Sequence, residues 1–360
     1  MRVLIFPNDK SAIGNPYCDL LYGSMRNLGV VTEPFTLSRA LFGNFDIFHL
    51  HWPEYYLSMP PWKAVIGSWG LLFCVAWLRF RGTRVVWTAH NLHSHNLRYP
   101  RVERWFWRVL TPMFHGFVAL SAISARQARI EFPALRSTNA AVIPHGDYRG
   151  TYPATITRSE ARRRLGLSKT EKVVLFFGGI SPYKNVPHLI ATFQLANLPD
   201  ATLLVAGRPA TPSDERKVLE SVRQGSRIQL HLKRVPPEEV QMFFAAADLV
   251  ALPFLEIMNS GSAMLALSFD RPALVPDRGS LPELQGQVGP EWIRTFLGDL
   301  SPGELRSGID WSRKERQSEK PNLANFAWPS IARNTLSLYE RVVTPGLSSD
   351  CTSTYDAGRV

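Results

Sequence analysis

Short apolar runs alternate with amphipathic stretches along most of the chain, which is the signature of parallel α/β architecture. In the first half, strands are predicted at Val3–Pro7, Asp46–His51, Arg84–Ala89, Gly116–Leu120 and Ala140–Pro144. Helices are predicted between them near Pro16–Leu28, Pro61–Phe80, Arg101–Phe114 and Ala122–Ile130. The rhythm breaks at the polar connection Thr151–Arg158 and a short capped helix, Ser159–Gly166. A second series follows, with strands at Lys172–Phe177, Ala201–Ala206, Arg227–Leu232, Leu249–Pro253 and Pro272–Pro276. Its helices fall near Val186–Ala196, Ser213–Gln224, Pro237–Ala246 and Ser260–Phe269.

Two such series in tandem predict two Rossmann-like, doubly wound α/β domains, residues 1–150 and 151–327, facing one cleft. A long irregular stretch leads to a last helix over 328–344. The Ser-, Thr-, Asp- and Gly-rich tail, 345–360, reads as disordered. Ligands of such folds bind beyond the carboxyl ends of the strands, so the loops there carry the candidate chemistry.

The 360 residues carry a net charge of +11. That balance suits nucleic acid, an anionic membrane or an anionic substrate. The basic residues cluster near apolar helices and form no nucleic-acid reader, so no nucleic-acid partner is expected. Three scattered cysteines (Cys18, Cys74, Cys351) fit a reducing cytosol. Met1 runs straight into a strand pattern, so no leader is read.

The stretch 61–80 is apolar and near spanning length, with Arg79, Arg81 and Arg84 behind it. Three readings stay open: a membrane span, a buried crossover helix, and a helix lying in the membrane interface with Trp62, Trp69 and Trp77 as anchors. Spanning would tear apart the sheet whose strands flank it. The next helix again mixes Arg with Trp (Arg101-Val-Glu-Arg-Trp-Phe-Trp-Arg108), which favours a membrane-surface role.

In the second half, three turns after strands offer backbone N–H groups or cations to an anion. They are Asn259-Ser260-Gly261-Ser262, Gly178-Gly179 with Lys184, and Arg208. Together they suggest a nucleotide-diphosphate site, with glycines for close backbone approach and Lys184 as a point charge. In the first half the loops carry Asp9, Gly14 and Asn15, then His51, Trp52 and Glu54, then His90. An acceptor hydroxyl needs a carboxylate or imidazole to take its proton, and Glu54, Asp9, His51 and His90 are the available groups. His49 and His51 alternate on one strand face, yet no third ligand stands at metal spacing, so no metal is expected. His145 ends the last strand of the first domain, where it could touch donor phosphate or shape the turn.

At these residues the sequence resembles the GT-B glycosyltransferases. Val205-Ala-Gly-Arg-Pro209, Phe177-Gly-Gly-Ile-Ser-Pro-Tyr-Lys-Asn185 and Trp328-Pro-Ser-Ile-Ala332 resemble donor-domain signatures of the large family 4 group. The stretches His49-Leu-His-Trp-Pro-Glu54, His90-Asn-Leu92, His145-Gly-Asp-Tyr-Arg149, Asn259-Ser-Gly261 and Val288-Gly-Pro-Glu-Trp292 are similar to the GDP-mannose:glycolipid 4-β-mannosyltransferases of xanthan-type exopolysaccharide assembly. The resemblance covers nearly the whole chain except the tail.

It implies metal-independent, inverting transfer of mannose from GDP-mannose to a polyprenyl-diphosphate-linked glycan, by a peripheral enzyme on the cytoplasmic face of the membrane. The first domain would hold the acceptor (with His51, Trp52, Trp62, Trp69, Arg79 and Arg81 facing it or the lipid), and the last helix would cross back. The donor would touch Gly14, Asn15, His145, Gly178, Gly179, Lys184, Arg208 and Asn259–Ser262. Family 4 enzymes carry two glutamates eight positions apart; here Glu256 keeps the first place and Met264 takes the second. Glu283 or Asp277 would then serve the ribose. The rival readings are a retaining family 4-type transferase using another nucleotide sugar, and a non-catalytic membrane-associated sugar-binding protein.

Overall fold

The computed structural model describes residues 1–7, 16–94 and 98–344. The expectations for Asp9, Gly14, Asn15 and the tail therefore lie outside the described residues. The first half contains strands β1 (Arg2–Phe6), β2 (Val31–Pro34), β3 (Ile47–Leu50), β4 (Arg84–Ala89), β5 (Gly116–Ala119) and β6 (Asn139–Val142). They form one parallel sheet in the order β2-β1-β3-β4-β5-β6. Helices α1 (Tyr17–Arg26), α2 (Leu37–Phe42), α3 (Pro61–Phe80), α4 (Pro100–Leu110) and α5 (Ala122–Glu131) connect them.

After α6 (Arg158–Arg164), the second half contains β7 (Lys172–Phe177), β8 (Ala201–Ala206), β9 (Ile228–His231), β10 (Leu249–Ala251), β11 (Ala273–Pro276) and β12 (Ile293–Phe296). These too are all parallel, in the order β12-β11-β10-β7-β8-β9. The intervening helices are α7 (Val186–Ala196), α8 (Pro212–Ser221), α9 (Pro237–Ala246), α10 (Gly261–Ser268), α11 (Leu281–Val288) and α12 (Pro302–Ser312). The central strands are apolar without alternation, because helices cover both faces: every residue of β8 and β11 is buried.

Strand order reverses between β1 and β3 in the first sheet and between β7 and β10 in the second. Each reversal opens a crevice at the strand ends. The loops at these two crevices carry His51–Glu54 and, opposite, Gly178–Lys184 with residues 252–262.

The last helix, α13 (Trp328–Val343), crosses back to the first half. Trp328, Ile331, Ala332, Thr335, Leu338, Tyr339 and Val342 form its buried stripe, at helical spacing, against α1 and the first sheet.

Three expectations are corrected. Residues 277–327 are not irregular: α11, β12 and α12 lie there, the last opened by a reciprocal Ser301–Glu304 capping box. The edge strand β2 went unread because Val31-Thr-Glu-Pro34 buries little and ends in proline. The short helix begins at Arg158, with Thr157 as its cap.

Candidate active site

On the second half, the turn after β7 and the start of α10 meet. Gly178 adopts φ +131°, and a Cβ there would lie 3.2 Å from Lys184 Nζ and 3.3 Å from Ser262 Oγ. The absent side chain thus leaves a gap that an ammonium and a hydroxyl face together. Gly207 closes the floor: a Cβ on it would come within 1.9 Å of the Gly178 carbonyl oxygen. Burial lowers the Lys184 pKa to about 8, and no carboxylate pairs with it among the described residues. Ser260 caps α10 by accepting from Ala263 N at 3.1 Å. The first N–H groups of α10 have no partner within the helix, so they add donors to the same gap. Arg208 lends its backbone, its carbonyl accepting from Ile180 N at 2.9 Å, while its side chain is exposed.

His145 and Tyr148 stand at the other side of that helix start. A Cβ on Gly261 would meet Tyr148 Oη at 3.2 Å and His145 Nε2 at 3.6 Å. His145 Nδ1 lies 2.7 Å from the Gly146 carbonyl, so it carries the proton and Nε2 carries the lone pair. Burial lowers the pKa of this ring to about 4.

The first half contributes a closed ladder of imidazoles and phenols. Tyr22 Oη lies 2.8 Å from His49 Nδ1 and 2.6 Å from His51 Nε2. His49 also meets Tyr339 Oη at 2.6 Å and Thr88 Oγ1 at 2.8 Å. His51 Nδ1 lies 3.0 Å from His90 Nε2, and Trp52 stacks on the His90 ring at 4.3 Å. His49 and His51 thus share one strand face as the alternation predicted. Burial depresses all three pKa values, that of His51 to about 3, so the rings are neutral. His51 is fully buried in the ladder. Tyr17 packs edge-on against His51, His90, His145 and Trp328, joining the ladder to the donor side.

Glu54 sits in the 3-10 turn Pro53–Ser58 that follows β3. It is buried, among the described residues its Oε2 has no hydrogen-bond partner, and burial pushes its pKa up to about 8. Sequence reading gave no role to Tyr17, Tyr22 or Tyr339, and took Tyr148 only as part of the His145–Arg149 stretch. The helical spacing of Tyr17, Tyr22 and Tyr339 looks like ordinary core, and only the contacts of these tyrosines with His49, His51 and His145 mark them.

Several candidates are placed otherwise than expected. Asn259 is turned to the first half: its Nδ2 donates to the His90 carbonyl at 3.3 Å and its Oδ1 accepts from Ser124 Oγ at 3.0 Å. Glu283 is spent on the same boundary, accepting from Ala122 N at 3.0 Å and Ile123 N at 3.4 Å at the start of α5. It is thus withdrawn as a ribose ligand, whereas Asp277 is exposed. Met264 is buried in α10. Arg79 donates to the Met113 carbonyl, and Arg81 to the carbonyls of Leu41 and Gly43, so both also brace the fold. Trp77 is likewise tied down, donating to the Leu41 carbonyl at 3.1 Å. Trp62 and Trp69 are exposed. Among the described residues no three His, Cys, Asp or Glu side chains gather as a metal ion requires.

The chain matches known proteins along its length. Residues 157–284 fit the family described as glycosyl transferases group 1. A GDP-mannose:glycolipid 4-beta-D-mannosyltransferase of Xanthomonas campestris pv. campestris is 30% identical over 354 residues, 97% of this chain and 94% of that protein. Among solved structures, a sucrose-phosphate synthase of Thermosynechococcus elongatus shares the fold with a TM-score of 0.66 at 16% identity, covering 95% of this chain and 98% of its own. The Anabaena protein HepE, solved with UDP-glucose, does so at 0.61 and 15% identity, covering 95% and 98%. Two parallel six-stranded sheets around a cleft, a helix crossing back and a relative matched from end to end give one conclusion. The chain is a GT-B glycosyltransferase and belongs to the same family as the Xanthomonas enzyme.

Proposed function

We propose that the protein transfers mannose from GDP-mannose to a lipid-linked oligosaccharide, with inversion and without a metal ion, in exopolysaccharide assembly. The relative's name, over 97% of this chain, carries the donor and the glycolipid class. The convergence of Lys184, Ser262 and the start of α10 on Gly178 suits a departing diphosphate, since preorganised donors stabilise charge as it develops. Lys184 and the helix start would then do electrostatically what a cation does in metal-dependent transferases.

Inversion needs one displacement, with a base on the acceptor side. Glu54 fits that role at the crevice of the first sheet, in the form that is ionised as the pH passes its raised pKa of about 8. The neutral imidazole ladder fits less well, because among the described residues no carboxylate is hydrogen-bonded to it to hold an imidazolium.

The enzyme would work on the cytoplasmic face of a membrane. Helix α3 is long and apolar enough to cross a bilayer, yet it joins β3 to β4 within one sheet and buries Leu71, Leu72, Cys74, Val75 and Leu78. Its opposite face exposes Trp62, Ile66, Trp69 and Phe73 at helical spacing, with Trp105 of α4 beside Trp69 at 4.6 Å. Lys63, Arg101, Arg104 and Arg108 supply charge around this face, a pattern that suits an anionic leaflet.

The test is transfer of labelled mannose from GDP-mannose to lipid extract, with the product anomer read by NMR. A β-linked product supports the reading. Selective thermal stabilisation by UDP rather than GDP, or an α-linked product, would overturn it.

A further inference from the structure

Asn91 follows β4 in a segment without regular structure, residues 90–94, so no strand ladder or helix fixes its backbone. The residue before it does. The His90 ring is held by His51 Nδ1 at 3.0 Å and by the stacked Trp52. The His90 carbonyl accepts from Asn259 Nδ2 at 3.3 Å, across the boundary between the halves. That carbonyl and the Asn91 N–H belong to one planar peptide unit. The bond to Asn259 therefore orients the unit from which the Asn91 side chain departs.

The Asn91 amide in turn donates to the Glu54 carboxyl. Of the side chains around Glu54, it is the one that most favours the ionised form. Among the described residues Glu54 Oε2 has no partner, so the amide steadies the carboxyl and leaves that oxygen uncommitted.

The other end of this chain of contacts lies in the donor half. Asn259 directly precedes Ser260, the cap of α10, and the same turn carries Ser262, which faces the gap at Gly178. Asn259 Oδ1 accepts from Ser124 Oγ at 3.0 Å, so its amide is held at both ends. The path from the diphosphate gap to Glu54 runs through the α10 start, Asn259, the His90–Asn91 peptide and the Asn91 amide.

We propose that Asn91 is a positioning residue for Glu54 and that Asn259 sets it through the His90–Asn91 peptide, so that the loop cradling the diphosphate also orders the base. The inference rests on the reading of Glu54 as the base. An amide suits the place, because it donates to a carboxylate and carries no charge. Aspartate there would repel Glu54, and alanine would leave it unheld.

Two further groups face Glu54: Glu103 of α4, whose charge raises its pKa, and His93, whose charge lowers it. Glu103 accepts from Ser94 N at 2.7 Å and Ser94 Oγ at 2.6 Å, and His93 lies 3.7 Å from Glu103 and 3.2 Å from Glu131. Both act on parent and variant alike, so a difference between the two reports the Asn91 amide.

The test reads the acid limb of kcat against pH, at saturating GDP-mannose and glycolipid. The titration of the Glu54 carboxyl carbon is read beside it by carbon-13 NMR, assigned with Glu54→Gln. Asn91→Ala is expected to move both upward by about half to one pH unit, so that kcat at pH 7 falls about three- to tenfold. GDP affinity should stay as in the parent. Asn91→Asp should move both further up. Asn259→Ala should move them in the same direction, and Asn91→Ala/Asn259→Ala no further than Asn91→Ala alone. The proposal is overturned if limb and titration stay put in Asn91→Ala and Asn91→Asp, or if the shifts in the double variant simply add. Full transfer by Glu54→Gln is a separate failure: it removes the base reading, and this role of Asn91 with it, whatever the titration does.

Discussion

The side-chain amide of Asn259 donates to the carbonyl of His90 at 3.3 Å and ties the donor-side loop to the acceptor-side loop. The same side chain accepts from Ser124, so one residue bridges two elements of the first half. Asn259→Ala removes both bonds from a partly exposed boundary. Each contributes about 0.5–1.5 kcal/mol, so kcat/KM should fall about tenfold while Tm moves by only a few degrees. A loss confined to donor affinity, with unchanged acceptor KM, would count against a bridging role.

Glu54 makes a prediction with two signs. In the folded protein its proton is held to about pH 8, against an ordinary value of 4.5. The stability this gives is complete below about pH 4.5 and is lost as pH rises through about 8. As a base, Glu54 works only when ionised, so transfer should rise with pH across the interval in which stability declines. Glu54→Gln should lower transfer by about a hundredfold or more, yet melt higher than the parent at pH 9. A variant with full activity, or one that melts lower at that pH, removes Glu54 from the role.

Lys184→Ala should weaken GDP binding by about tenfold or more in calorimetry. Lys184→Arg should not restore it, because the gap beside Gly178 fits a compact ammonium and not a planar fork. Restored affinity in the arginine variant would mean that charge alone, without the shape of the gap, holds the donor.

Trp69→Asp places a carboxylate in the middle of the exposed face of α3, leaving its buried face untouched. Sedimentation with anionic vesicles should drop strongly while GDP binding stays. Unchanged sedimentation would show that α3 does not carry the contact.

Much of this was legible in the chain. The buried strands announce themselves as unbroken Val, Leu and Phe runs, and the switch-point loops follow from where those runs end. Gly178, Lys184 and Ser262 were readable for the same reason, as small and basic residues just past strand ends. The edge strand β2 was not, because Val31-Thr-Glu-Pro34 lies mostly in solvent and has no apolar face to show. Nor was the ladder: His49 and Tyr339 are 290 residues apart, and no local spacing joins them. The roles of Asn259 and Glu283 depend on how two sheets face each other, which no single segment encodes.

The return of α13 to the first sheet means that the backbone passes between the halves twice, once after β6 and once before Trp328. Two connections leave the halves fewer ways to move against each other than one would. The first half also lacks one wall of its core until α13 has left the ribosome, so its fold cannot close around β1–β6 as they emerge.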